Sequence, residues 1–141
     1  LHFTDDVMAR LAERGVERAE LTLHVGYGTF EPVRAEDLAQ HTVSPERFEI
    51  SAETAAKLTA ARRDGRRIIA VGTTSTRTLE HVISVHGEFR ADAGYADLTI
   101  VPGYRFRAID GLLTNGHLPK SSLRVLVSPL AGRELIMHAY R

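Results

Sequence analysis

An unbroken apolar run, Ile68-Ile69-Ala70-Val71, leads directly into Gly72 and four hydroxyl side chains, Thr73, Thr74, Ser75 and Thr76. Three β-branched residues in four positions favour a strand, and an uninterrupted run predicts one covered on both faces. Gly72 permits a tight turn and close backbone approach. The hydroxyls are N-cap candidates, so a helix is predicted over about 75–85, with Thr78, Leu79, Val82 and Ile83 on its buried side. Open N–H groups at such a helix start attract anions. The turn therefore reads either as an ordinary capped strand-to-helix connection or as a binding turn for a phosphate, carboxylate or ribose. It matches neither a full phosphate loop nor a dinucleotide motif.

The rest of the chain supplies partners for this unit. Thr4 is an N-cap candidate, Asp5 and Asp6 complement a helix dipole, and Val7, Met8 and Leu11 recur at helical spacing before Gly15. Leu21, Leu23 and Val25 alternate with Thr22 and His24, which predicts a strand over 20–26. Gly26-Tyr27-Gly28-Thr29-Phe30 reads as a ligand-approach loop with two stacking rings, or as a bulged turn whose aromatics enter the core. Pro32 ends it. A short helix is expected at 34–40, a loop at 41–46, a strand at 47–50, and an Ala-rich helix from the Ser51 cap to about Asp64, stopped by Gly65. Arg62, Arg63, Arg66 and Arg67 cluster at that helix end, as dipole complement and solubility or as RNA backbone contacts.

Beyond the central unit, residues 87–96 are polar and glycine-containing and read as a surface loop. A strand is expected at 97–101, an edge segment at 104–106 and a short strand at 112–114. Asn115-Gly116 is a turn signal. A helix then starts at Ser121 or Ser122 and runs through Val127, broken or bent by Pro129 and Gly132, and an amphipathic piece covers 133–140. Strands alternating with helices predict an α/β fold, barrel-like or layered, with a mainly parallel sheet and flanking helices. The 141 residues suit one domain.

Composition narrows the function classes. Basic and acidic residues both number 18, so there is no general polyanion signal, only room for local patches. There is no cysteine, which excludes disulfides, thiolate metal sites and Cys nucleophiles and fits a cytoplasmic protein. No apolar run approaches the roughly 18 residues of a membrane span. The His residues form no compact helical ligand pair, so no metal is expected.

Several segments together resemble one family: Leu1-His2-Phe3-Thr4, Leu21 to Gly26 with Gly28-Thr29-Phe30, Ala70 to Ser75 with Arg77, Leu79 and Glu80, Pro102-Gly103-Tyr104, Thr114-Asn115, His117-Leu118-Pro119-Lys120-Ser121, and Leu126-Val127-Ser128 with Ala131-Gly132. Their order and spacing resemble the S-adenosylmethionine:tRNA ribosyltransferase-isomerases of queuosine biosynthesis. The resemblance implies part of that family's large α/β domain, without its N-terminal portion and inserted β-rich domain. It also implies a reaction: the ribosyl part of S-adenosylmethionine passes to 7-aminomethyl-7-deazaguanine in a tRNA anticodon and rearranges to epoxyqueuosine. Adenine and methionine leave. Val43, Ser44 and Pro45 depart from the family pattern before Glu46, and Gly116 stands where the family usually has Phe.

What the resemblance implies for residues follows from the chemistry. A sulfonium carries its own leaving group, so the protein must place reactants, move protons and stabilise developing charge. His2, His24, His41, His117 and Glu46 are the candidate acids and bases, with the roles unassigned among them. Gly72, Thr73, Thr74 and Ser75 are candidates for S-adenosylmethionine or the nucleotide backbone, and Arg77 for the methionine carboxylate or a phosphate. Asn115 and Lys120 are candidates for a base or phosphate. The implied partners are S-adenosylmethionine, as substrate, and tRNA, with no membrane. Self-association through surfaces left open is a further expectation. A non-catalytic ligand- or RNA-binding module of the same fold is the alternative.

Overall fold

A computed structural model describes residues 2–26, 42–116 and 122–139. The glycine-rich loop after Gly26, the short helix expected at 34–40, and His41, His117 and Lys120 lie outside them. The described elements run α1 (Asp5–Glu13), β1 (Thr22–His24), β2 (Glu46–Ile50), α2 (Ala52–Arg63), β3 (Ile69–Val71), α3 (Thr73–His86), β4 (Asp92–Ala96), β5 (Gly111–Leu113), α4 (Ser122–Ala131) and α5 (Arg133–Ala139). The first two helices start where capping chemistry places them. Thr4 Oγ1 accepts from Val7 N–H at 3.3 Å, and Ser51 Oγ accepts from Thr54 N–H at 3.1 Å.

Two small sheets form. β2 is central in an antiparallel sheet of order β1-β2-β4, while β3 and β5 pair in parallel. The fold is thus mixed α/β, as expected. The mainly parallel arrangement is not what the described strands adopt, and no sheet among them closes into a barrel. Alternation of strands and helices misled here because α2 joins strands of different sheets, β2 and β3, so the connection forces no parallel neighbour.

Strict alternation along β2 buries Phe48 and Ile50 against Leu58, Ala70, Leu79, Val82 and Ile83. Each large apolar side chain so buried contributes about 1.5–3 kcal/mol. The predicted inner face of α3 holds: Thr78, Leu79, Val82 and Ile83 are all buried. A second cluster, Ile100, Leu126 and Val127, packs α4 beside Leu98, Tyr104 and Phe106.

Four local expectations are corrected. Residues 92–96 form a strand because β2 supplies hydrogen-bond partners, with Phe48 opposite Gly94; tertiary pairing overrides the weak propensity of Asp-Ala-Gly-Tyr-Ala. Residues 97–101 form none, since their polar groups are met otherwise: Leu98 C=O accepts from Arg77, Thr99 Oγ1 from Val43 N–H, and Val101 C=O from Tyr104 N–H. β3 is covered on one face only. Ala70 is buried, but Ile69 and Val71 are about half exposed and line an open groove of about 640 Å³ with Val16 and Leu21. Finally, of the two breakers expected in α4, Pro129 lies inside the helix without ending it, whereas Gly132, at φ 82°, does end it as expected.

Candidate functional site

The central turn is glycine-capped. α3 begins at Thr73, two residues before its predicted start, and its N-cap is Gly72 at φ 91°, ψ 147°, with no side-chain cap. None of the four hydroxyls takes the capping role. Thr76 Oγ1 instead donates to Gly72 C=O at 3.1 Å. The N–H groups that open α3 therefore keep their orientation toward whatever lies beyond the turn, at the positive end of a 14-residue helix. Gly72 N–H donates to Leu113 C=O at 2.9 Å. That bond sets the turn beside the end of β5, which Thr114 and Asn115 follow in the chain. Two parallel strands thus end together, the usual place for a ligand crevice in α/β sheets.

Arg77 lies one turn into α3 and is 3% exposed. Its Nη1 donates to Glu46 at 3.1 Å, its Nε to Leu98 C=O at 2.7 Å, and its Nη2 to the carbonyls of Ser44, Ala96 and Val43 at 2.6, 2.8 and 3.3 Å. Burial pulls the guanidinium below its ordinary value, while Glu46 and Asp97 act in the opposite direction. Every nitrogen is thus engaged by the protein itself. Arg77, the candidate carboxylate or phosphate ligand, serves in this structure as a clamp. It holds the strand-leading segment 43–46 and the segment 96–98 against α3. Glu46, Thr73, Thr74 and Arg77 do converge, with Val43, Ile100, Leu123 and Leu126, on a crevice of about 10 Å³. That is room for one water at most.

One residue escaped the chemical reading. Glu80, three positions after Arg77, is fully buried. Its carboxylate accepts from Tyr104 Oη at 2.9 Å and from the N–H groups of Arg107, Ala108 and Ile109 at 3.0, 2.7 and 3.3 Å. It shapes residues 104–109, the approach to β5. Burial first, then the hydrogen bond to Glu80 and its charge, push the Tyr104 phenol well above its ordinary value. The signal was present in the sequence: an acidic residue inside the apolar stripe Leu79-Val82-Ile83 must be buried with partners.

The remaining described candidates, His2, His24 and Asn115, are all exposed. His2 is exposed at the entry to α1. His24 is exposed at the end of β1 opposite Arg47, on the sheet face away from buried Glu46. Asn115 is exposed after β5. His41, His117 and Lys120 fall outside the described residues, among which no three His, Asp or Glu side chains are grouped to hold a metal ion. No described helix is long and apolar enough to cross a membrane.

Comparison with known proteins places this geometry. The family described as queuosine biosynthesis protein matches residues 1–141. The chain is 55% identical over 141 residues to the S-adenosylmethionine:tRNA ribosyltransferase-isomerase of Symbiobacterium thermophilum, and 52% identical to that of Syntrophotalea carbinolica. Each match covers 100% of this chain and 41% of the relative, so the chain spans about two fifths of their length. The crystal structure of S-adenosylmethionine tRNA ribosyltransferase from Thermotoga maritima superposes with a TM-score of 0.80 at 39% identity, covering 99% of this chain and 44% of that one.

Proposed function

This chain belongs to the queuosine biosynthesis protein family, and on that premise we propose that the full-length protein is an S-adenosylmethionine:tRNA ribosyltransferase-isomerase. It transfers the ribosyl part of S-adenosylmethionine to 7-aminomethyl-7-deazaguanine in tRNA and isomerises it to epoxyqueuosine. The observation that carries this reading is identity above half along the whole chain to two proteins of that name. The comparisons give a non-catalytic module no support of its own.

Within that reading, the turn 72–75 receives S-adenosylmethionine or the nucleotide backbone. Open N–H groups at the start of α3 favour a carboxylate or phosphate, and Thr73, Thr74 and Ser75 add hydroxyls. Asn115, tied to the turn through the Gly72–Leu113 bond, contacts the base or a phosphate, and Lys120 joins it. Proton transfer falls to the His candidates, His2, His24, His41 and His117: deprotonation beside the sulfonium needs a base, and adenine leaves more easily when protonated. Glu46, bound to Arg77, holds the segment that follows His41. The chemistry needs no metal.

At larger scale, the 141 residues form one domain, part of a barrel-like or layered large domain in which the β3–β5 pair gains further strands. The half-exposed Ile69, Val71 and Leu113 support this, because two-stranded parallel sheets seldom stand with a face in water. The same surface supports self-association of the chain alone. The protein acts on tRNA in the cytoplasm. Full-length protein given S-adenosylmethionine and precursor-bearing tRNA is expected to release one adenine per nucleoside modified. No release under conditions where the Symbiobacterium relative turns over would refute the proposal.

A further inference from the structure

A second surface lies at the other end of β3. Arg62 from the last turn of α2, Arg66 and Arg67 from the turn that follows, and Arg107 from the approach to β5 line one open groove of about 200 Å³, with Asp110. Residues about 40 apart in sequence thus converge. Arg62 is fixed in place: its guanidinium lies 4.9 Å from the centre of the Phe89 ring and donates to Arg107 C=O, joining two edges of the groove. Arg66 is paired with Glu17 at 2.7 Å and approaches Asp64 at 3.7 Å. Among the described residues, Arg62, Arg67 and Arg107 have no carboxylate within ion-pair reach. Asp110 is turned to its own backbone task, accepting from Ile68 N–H at 2.8 Å. Even with Asp110, Glu17 and Asp64 counted, the groove keeps a positive excess.

That excess matters in a chain whose formal net charge is zero. These residues add no net charge to draw in a polyanion, so a nucleic acid that meets this part of the protein must find a local cationic surface. We propose that this groove is a phosphate-binding surface for the tRNA backbone, separate from the Gly72 turn at the opposite end of the strand; this rests on the function proposed above. Arginine forks suit phosphate oxygens bidentately. Apart from Ile68 and Ala108 the lining offers charge and no aromatic side chain, which fits a backbone better than an acidic protein segment, whose hot spots add Trp and Tyr to Arg. Contacts here set affinity and register and carry no base sequence.

The test is tRNA binding by the full-length protein, followed by fluorescence anisotropy at several salt concentrations. Arg67→Ala/Arg107→Ala should weaken binding roughly 3- to 10-fold and lower the slope of log Kd against log salt by about 1–2. Arg67→Lys/Arg107→Lys should keep most of the slope. Both variants should melt within about 2 °C of the unmutated protein, since neither side chain has an ion-pair partner to lose among the described residues. Unchanged affinity and slope in the alanine variant would overturn the proposal. So would loss of binding to polyglutamate with tRNA binding intact, which would assign the groove to an acidic protein. If the unmutated protein releases no adenine but the alanine variant still loses salt-dependent RNA affinity, the reaction fails and the groove stands.

Discussion

Glu80 and Tyr104 show how a single buried charge organises a loop. A fully buried carboxylate is costly unless nearly all of its lone pairs are met, and here three backbone N–H groups and a phenol meet them. The phenol shares the consequence. In the unfolded chain it ionises near pH 10, whereas in the fold its value is raised, so it stays protonated. The unfolded state loses its proton first, and the contribution of Tyr104, fully present below about pH 10, is lost as pH rises beyond it. Between about pH 9 and 11 the urea midpoint of the unmutated chain should fall more steeply than that of Tyr104→Phe. At pH 7 the variant should be less stable by about 1.5–3 kcal/mol, the worth of one bond to a charged acceptor. Parallel slopes across that range would show that Tyr104 titrates as an ordinary phenol.

At the scale of elements, α3 is the piece on which the two sheets meet. Its start depends on Gly72, whose φ and ψ lie in a region other residues scarcely enter. A Cβ there would meet nothing nearer than Ser75 Oγ at 4.0 Å, so the cost of Gly72→Ala is backbone strain, not collision. The substitution should destabilise by about 1–3 kcal/mol. Gly87→Ala at the other end of α3, in the milder left-handed region, should cost about 1 kcal/mol. Chemical denaturation of both variants gives the ordering; equal costs would mean that the turn relaxes freely. Along the helix, Arg77 and Glu80 lie three residues apart and bind different segments, 43–46 and 96–98 for Arg77 and 104–109 for Glu80. The irregular segments around the turn are thereby fixed by side chains of a regular element.

For the molecule as a whole, the open feature is the outer face of β3–β5. Ile69, Val71 and Leu113 are 49%, 50% and 53% exposed, and the paired register puts Val71 beside Leu113. Adjacent apolar side chains on a short parallel pair invite cover. The 141-residue chain alone should therefore associate at tens of micromolar in sedimentation velocity, and Ile69→Thr/Val71→Thr, which keeps strand propensity, should shift it to monomer. A chain already monomeric at that concentration would remove the argument.

The sequence by itself determined the local units. Caps at Thr4 and Ser51, the inner stripe of α3 and the strand before Gly72 were all legible, because each depends on residues within a turn or two of one another. The ordered motifs also carried the family. Tertiary structure decided which strands share a sheet, that residues 92–96 rather than 97–101 extend one, and that Arg77 clamps backbone of two distant segments. Those outcomes depend on partners tens of residues away, such as Glu46 for Arg77 and β2 for β4, and no local pattern encodes them. The turn 72–75 shows both sides: its residues announced a strand, a glycine and a helix start, but only the assembled fold left it capped by glycine alone and tied to the end of β5.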